Sequence, residues 1–157
     1  MSKKNIGIVD TTFARVDMAK MVIQEIENTT SKVNLIRYTV PGIKDLPVAC
    51  KILFDNYECE MCIVLGMPGA AEKDKICAHE ASQGIISCQL ITGKHIIECF
   101  VHEDEGETPE EVIEICDNRA RKHAQNVLRL LFDNIWLQKH AGCGLRQGFP
   151  DVGPIKQ

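Results

Sequence analysis

The sequence predicts an α/β fold, a three-layer sandwich in which a four-stranded parallel sheet carries helices on both faces. Two observations predict it. Short runs dense in apolar residues alternate with segments whose apolar residues recur at helical spacing, and all connections but the last are short. Strands alternating with helices imply parallel pairing through right-handed crossovers, with helices covering both sides. A chain of 157 residues fits one domain, so residues 1–157 are read as a single unit in which 142–157 form an irregular tail.

The first strand runs from Lys4 to Val9, nearly continuous in apolar residues as expected of a strand buried on both faces, and ends in Asp10. Thr11, Thr12, Phe13 and Ala14 form the following loop. A helix from about Asp17 to Glu27 carries Met18, Met21, Val22 and Ile26 on one face and is broken by Asn28 to Ser31. Lys32 to Thr39 reads as the second strand. Val40 to Pro47 is a turn, and Leu46 to Asn56 a helix with Leu46, Ala49, Cys50, Leu53 and Phe54 as its apolar stripe. Met61 to Leu65 is the third strand, opening into Gly66, Met67, Pro68 and Gly69. Asp74 to about Leu90 reads as a helix with Ile76, Cys77, Ala81, Ile85 and Cys88 inward, and a fourth strand spans His95 to His102. Thr108, Pro109, Glu110 and Glu111 make a capping box with proline at the first helical position. The helical pattern continues to about Lys139, and the polar run Asn118 to His123 divides it into two segments.

Composition narrows the function. An apolar fraction of 45%, a charged fraction of 25% and a net charge of -4 describe an ordinary globule and argue against a nucleic-acid partner. The start of the chain lacks a signal-peptide core and no apolar run approaches ~20 residues, so the expectation is a cytoplasmic protein with no membrane partner. Eight cysteines in such a chain read as thiols. Cys59 and Cys62 form a C-x-x-C without a second ligand pair, which argues against structural zinc, with Cys59 in a loop and the remaining cysteines mostly small core hydrophobes.

In parallel sheets, ligands bind beyond the carboxyl ends of the strands. Those ends bring together Asp10 to Phe13, Val40 to Asp45, Gly66 to Lys73 and His102 to Glu105, the most polar or glycine-rich loops of the chain. In the second loop Pro41 fixes its own φ, Gly42 admits a close backbone approach, and Asp45 is placed either to accept hydroxyl hydrogen bonds or to cap the helix beginning at Leu46. The loop after the first strand has no dinucleotide fingerprint, no Walker loop and no flavodoxin-type phosphate loop. No G-x-S-x-G elbow occurs.

The turn Val40, Pro41, Gly42, Asp45, Pro47 resembles the Val-Pro-Gly-x-x-Glu-x-Pro turn of the lumazine synthase superfamily. Leu65 and Gly66, followed by His79, Glu80, Ala81 and Gly84, resemble its Leu-Gly loop and Asn-Glu-Ala helix. The resemblance covers about Asn5 to His140 and is closest to the archaeal-type riboflavin synthase branch, which implies a lumazine-synthase-like fold. That family follows Leu-Gly with an Arg-Gly-Ala-Thr-Thr-His run that binds a phosphate and supplies a base. Here the segment reads Met67, Pro68, Gly69, Ala70, Ala71, Glu72, Lys73, with the phosphate hydroxyls and the histidine gone. A riboflavin synthase acts on 6,7-dimethyl-8-ribityllumazine, which has no phosphate.

The resemblance implies a dismutation in which two molecules of this lumazine exchange a four-carbon unit, giving riboflavin and a ribitylamino pyrimidine without a redox cofactor. It implies that Thr11, Thr12, Phe13, Ala14, Pro41, Gly42, Ile43, Asp45, Leu46, Gly66, Met67, Pro68, Gly69, His79 and Glu80 bind substrate. Phe13 would stack on the heterocycle, or else close a core edge. Lys73, at the family's histidine position, and His102, a residue type that exchanges protons near neutral pH, are the candidates for proton transfer. The acidic run Glu103, Asp104, Glu105 and Glu107 could hold Mg²⁺, although the dipole of the helix that follows accounts for it without a metal. Arg119, Arg121, Lys122 and His123 loosely match the family's basic helix start and read as a surface or intersubunit group. His95 and His140 read as surface. The resemblance also implies a homopentamer with active sites between neighbours. Its alternatives are a lumazine synthase, or a lumazine- or flavin-binding protein without catalysis.

Overall fold

The computed structural model describes residues 2–156. Four strands, β1 (Lys4–Thr11), β2 (Val33–Val40), β3 (Cys59–Gly66) and β4 (Ile96–Phe100), form one sheet in the order β2-β1-β3-β4, every pair parallel. Helices α1 (Met18–Thr29) and α4 (Pro109–Phe132) cover one face, and α2 (Leu46–Asn56) and α3 (Glu72–Thr92) the other. A short α5 (Asn134–Lys139) follows α4. The three-layer sandwich expected from the alternation is the fold observed.

Two apolar layers hold it together. Ile6, Ile8, Ile63 and Leu65 meet Val22, Ile26, Ala120 and Val127 from α1 and α4. Val9, Cys62 and Val64 meet Leu46, Leu53 and Ile85 from α2 and α3. Each fully buried Ile or Leu contributes roughly 1.5–3 kcal/mol of transfer free energy. The helix starts are local: the Asp17 carboxylate accepts from Lys20 N–H at 3.2 Å and the Thr108 hydroxyl from Glu111 N–H at 3.2 Å. Gly93, with φ 66°, ends α3 in the left-handed conformation.

Several expectations are corrected. Cys59 opens β3, fully buried, because β3 begins two residues before its continuous apolar run starts at Met61. β4 stops at Phe100, so His102 sits beyond the strand. α3 places Ala78, Ala81, Ile85 and Cys88 inward but leaves Ile76 54% exposed and Cys77 half-buried at a cleft. α4 runs unbroken through Asn118 to His123 and divides from α5 only at Asp133. The polar side chains of that run make tertiary bonds: Arg121 reaches Gln24 at 3.0 Å and Arg119 reaches Glu105 and Gln147. His123 is half-buried rather than on the surface.

Candidate active site

Among the recesses at the carboxyl ends of the four strands, two clefts lie one on each side of α3. The first, about 260 Å³, is built on the turn after β2 and the loop after β3. Gly42 has φ −146°, extended backbone that any residue adopts, so its conformation does not require glycine. A Cβ there would meet no protein atom within 4 Å, so the missing side chain leaves open space above the turn. Asp45 does not cap α2; its Oδ2 turns back to accept from Gly42 N–H at 3.2 Å, closing the short helical turn Ile43–Asp45. Its second carboxylate oxygen has no protein partner among the described residues and is available to a ligand hydroxyl. Phe13 stands over this cleft 61% exposed, which removes the reading in which it closes a core edge and leaves a ring free to stack.

The first turn of α3 forms the far wall. Asp74 accepts from Ala71 N–H at 3.1 Å, and Glu72 stands beside it. These two carboxylates answer the positive end of the helix dipole from within the chain. The end of a helix that would otherwise attract an anion thus has its free N–H groups answered from within the chain, although Lys73 and Lys75 share the turn.

The second cleft, about 610 Å³, lies at the outer edge of β4 between α3 and α4. Glu98 projects from β4 to the hydroxyl of Ser82 on α3, which donates to it. Burial holds the Glu98 carboxyl above the ordinary carboxylate range, against the opposing pull of Ser82 and of His102 nearby. His102 is half-buried, and its Nδ1 is buried without a hydrogen-bond partner among the described residues. Arg119 completes the floor with a two-pronged bond to Glu105 at 2.8 and 2.9 Å. A carboxyl whose pKa is raised by burial beside an imidazole with an unsatisfied nitrogen is suited to moving protons.

Of the residues expected from sequence, Phe13, Gly42, Ile43, Asp45, Pro68 and Gly69 line the first cleft, and His79 and His102 the second. Gly66 is the joint between them: a Cβ at this position would lie 2.8 Å from the Ile43 side chain and 2.9 Å from the Phe100 ring. Thr11, Thr12 and Ala14 face a separate polar recess beside Asp10 and Arg37. There Asp10 is held by Arg37 and Thr39 at 2.6 Å each. The Pro41 carbonyl accepts from the Thr12 hydroxyl at 3.4 Å. Leu46 and Met67 are core residues and do not face the first cleft. Glu80 pairs with Lys44 at 3.2 Å on the surface. Lys73 is exposed on the first turn of α3 and lines neither cleft.

Glu98, Ser82, Lys44, Asp74 and Cys77 line the clefts without having been singled out as site residues from sequence, and Arg119 and Glu105, read there as a surface or intersubunit group and a solvated or Mg²⁺-binding loop, line the second cleft as a pair. Glu98 was signalled by its position: a lone acid inside an otherwise apolar strand is seldom tolerated without a partner. The Arg119 contacts carry no such local signal, since Gln147 is 28 residues away. Among the described residues, no group of three His, Cys, Asp or Glu side chains is disposed to hold a metal ion.

The sequence profile of the 6,7-dimethyl-8-ribityllumazine synthase family matches residues 3–133. The chain belongs to this lumazine synthase family. Within it, the chain is 57% identical over 150 residues to the riboflavin synthase of Methanothermobacter thermautotrophicus, covering 96% of this chain and 98% of that one. It is 48% identical over 154 residues to the riboflavin synthase of Aeropyrum pernix, covering 98% and 99%. The 6,7-dimethyl-8-ribityllumazine synthase of Methanobrevibacter smithii is 32% identical over 96 residues, 57% of this chain and 68% of that one. The lumazine synthase fold is thus shared with both activities, while similarity along the full chain is to the archaeal riboflavin synthases.

Proposed function

We propose that this protein is a riboflavin synthase that converts two molecules of 6,7-dimethyl-8-ribityllumazine into riboflavin and 5-amino-6-ribitylamino-pyrimidinedione. The observation that carries the reading is the first turn of α3, where Asp74 takes the Ala71 N–H and no hydroxyl run remains at the place where the family's phosphate-binding run is replaced. It suits a substrate without phosphate, and it agrees with full-length similarity to the archaeal riboflavin synthases. The four-carbon unit leaves one lumazine and joins the other, so atoms and electrons balance between the two substrates and no outside oxidant is consumed.

In this reading the first cleft binds. Phe13 stacks on a heterocycle and the spare oxygen of Asp45 accepts from the ribityl chain. The second cleft moves protons, with His102 taking one from the substrate's acidic methyl and Glu98 as its partner; Lys73, which lines neither cleft, is the weaker candidate. Holding two reactants in register supplies several kcal/mol of the barrier, of the order expected from effective molarity. A volume of about 260 Å³ falls below the roughly 300–1,000 Å³ of most ligand pockets. Such a cleft is too small for two stacked substrates, which supports completion of the site by a neighbouring subunit. The exposed α3 residues Ile76, Ile86, Leu90 and Ile91 offer an apolar surface for that neighbour. We read the assembly as a ring, a pentamer by family resemblance.

The test is to incubate the purified protein with 6,7-dimethyl-8-ribityllumazine and follow riboflavin by absorbance, with the assembly measured by sedimentation. Riboflavin and the pyrimidine in equal amounts are expected. Tight binding without turnover would overturn the enzyme reading, and formation of lumazine from the pyrimidine and a four-carbon phosphate would replace it with lumazine synthase. A monomer retaining full activity would remove the intersubunit site.

A further inference from the structure

We infer that Arg119, held from the far side by the C-terminal segment, is a positioning residue that sets the aim of His102. The inference rests on the reading that the second cleft takes part in the reaction.

The C-terminal segment is an ordered strap. It closes on itself through Val152 N–H to the Gly144 carbonyl at 3.0 Å and Arg146 N–H to the Asp151 carboxylate at 2.9 Å. It is fastened to α4 at three points. Lys122 donates to the Arg146 carbonyl at 3.0 Å, Gly148 N–H to Asn118 Oδ1 at 2.8 Å, and Arg119 Nε to the Gln147 carbonyl at 3.1 Å. Gly148 is specified twice over: its φ of 94° disfavours any side chain, and a Cβ would fall 2.4 Å from Arg119 Nη2. The strap is thus shaped around this one guanidinium.

Arg119 transmits that placement inward. Its side chain is only 12% exposed. Beyond the fork to Glu105, Nη1 donates to the Phe100 carbonyl at 2.9 Å, fixing the end of β4. Glu105 Oε2, held by Arg119 Nη1 at 2.8 Å, also accepts from His102 N–H at 2.8 Å. The backbone at residue 102 therefore hangs between two groups that Arg119 orients. The imidazole has no hydrogen bond at Nδ1 to hold it independently. Val101 N–H to the Gly66 carbonyl at 3.0 Å and Glu103 N–H to the Pro68 carbonyl at 3.2 Å tie the flanking backbone to the loop after β3, so removing the fork loosens the His102 N–H and the end of β4 and re-aims the ring without unfastening the segment. A lysine retains the charge but not the two-pronged geometry, so it does not substitute for the arginine.

The experiment compares Arg119→Lys and Gly148→Ala with the parent protein, adding Asn118→Ala as a milder loosening of the strap at an exposed acceptor. Two readouts are taken on the assembled protein: the histidine NMR resonances, with His102 assigned by its own substitution, and riboflavin formation. The expected result is a shifted or split His102 signal in all three, with kcat lowered by about 10- to 100-fold for Arg119→Lys, the scale of a catalytic group displaced by about an ångström, at little change in KM. In a His102→Ala background, Arg119→Lys should lower kcat no further. An unchanged His102 signal in variants that melt like the parent overturns the inference, as does an additive loss in the double variant. If the His102 signal responds but His102→Ala turns over at the parent rate, the positioning stands and the role given to the second cleft fails.

Discussion

The two clefts differ in what makes their walls. The first is formed by a turn, an aromatic ring and a helix start, with one spare carboxylate oxygen and little buried charge. The second concentrates Glu98, His102, Glu105 and Arg119 around one strand end, with Ser82 on α3 bonded to Glu98, Arg119 on α4 bonded to Glu105, and Glu105 in turn accepting from the nearby His102 N–H. A wall of backbone and ring can hold a flat molecule at modest cost in stability. A wall of partly desolvated ionisable groups is expensive to assemble and is kept where protons must move. In the proposed reading, binding and chemistry are divided between the two sides of α3.

Replacing His102 by alanine would break the division most directly. A loss of about 10²- to 10⁴-fold in kcat is expected from removal of a general base, with KM nearly unchanged. A rise in KM alone would assign this cleft to binding as well.

The acid–base behaviour of stability sharpens the contrast next, because Glu98 lines the second cleft and His123 lies on α4 near Arg119. Burial, with Arg119 near, pulls the His123 imidazole down to about 4. The unfolded chain then binds the extra proton first, and stability is lost as pH falls from about 6.5 through 4, by up to roughly 3 kcal/mol. Glu98 carries the opposite sign. Its folded carboxyl holds its proton above the ordinary range, so the stability it contributes is full in acid and is lost as pH rises through the raised value. Urea melts from acid to neutral pH should show the loss on lowering pH shrinking in His123→Gln and the loss on raising pH shrinking in Glu98→Gln. Parallel profiles for parent and variants would refute both assignments.

Gly66→Ala tests the joint. The added methyl must displace Ile43 and Phe100 together, an overpacking expected to cost about 1–3 kcal/mol. Both KM and kcat should suffer, unlike in the single-cleft variants; a change in only one would mean that the joint yields toward one side. Phe13→Ala should be the mildest, raising KM by up to about tenfold, the scale of an aromatic pair. The ring is largely exposed, so the melting temperature should not move. A drop in stability would return Phe13 to the core.

The first cleft was legible in the sequence because its signals are local. Val40 to Pro47 encodes its own turn, and the alternation of apolar runs encodes the parallel sheet whose strand ends face one way. The second cleft was not. Asn118 to His123 read as a break in a helix because the pattern counts polarity, whereas these side chains are polar to reach the tail and α1 across 28 and 97 residues. Asp45 read as either a cap for α2 or a hydroxyl acceptor, and its actual bond goes backward to Gly42. Choosing among such partners takes the fold.

The start of α3 has a consequence for sorting among similar molecules. A cell that makes this lumazine also contains phosphorylated sugars and nucleotides that share its hydroxyls and ring systems. Any of them entering beside Phe13 brings its negative charge toward Asp74, on a helix turn where Lys73 and Lys75 offset the acids and no hydroxyl run offers a phosphate its hydrogen bonds. Discrimination is thus expected from the missing phosphate ligands more than from repulsion. Inorganic phosphate or a flavin phosphate should leave the rate unchanged where the neutral product competes.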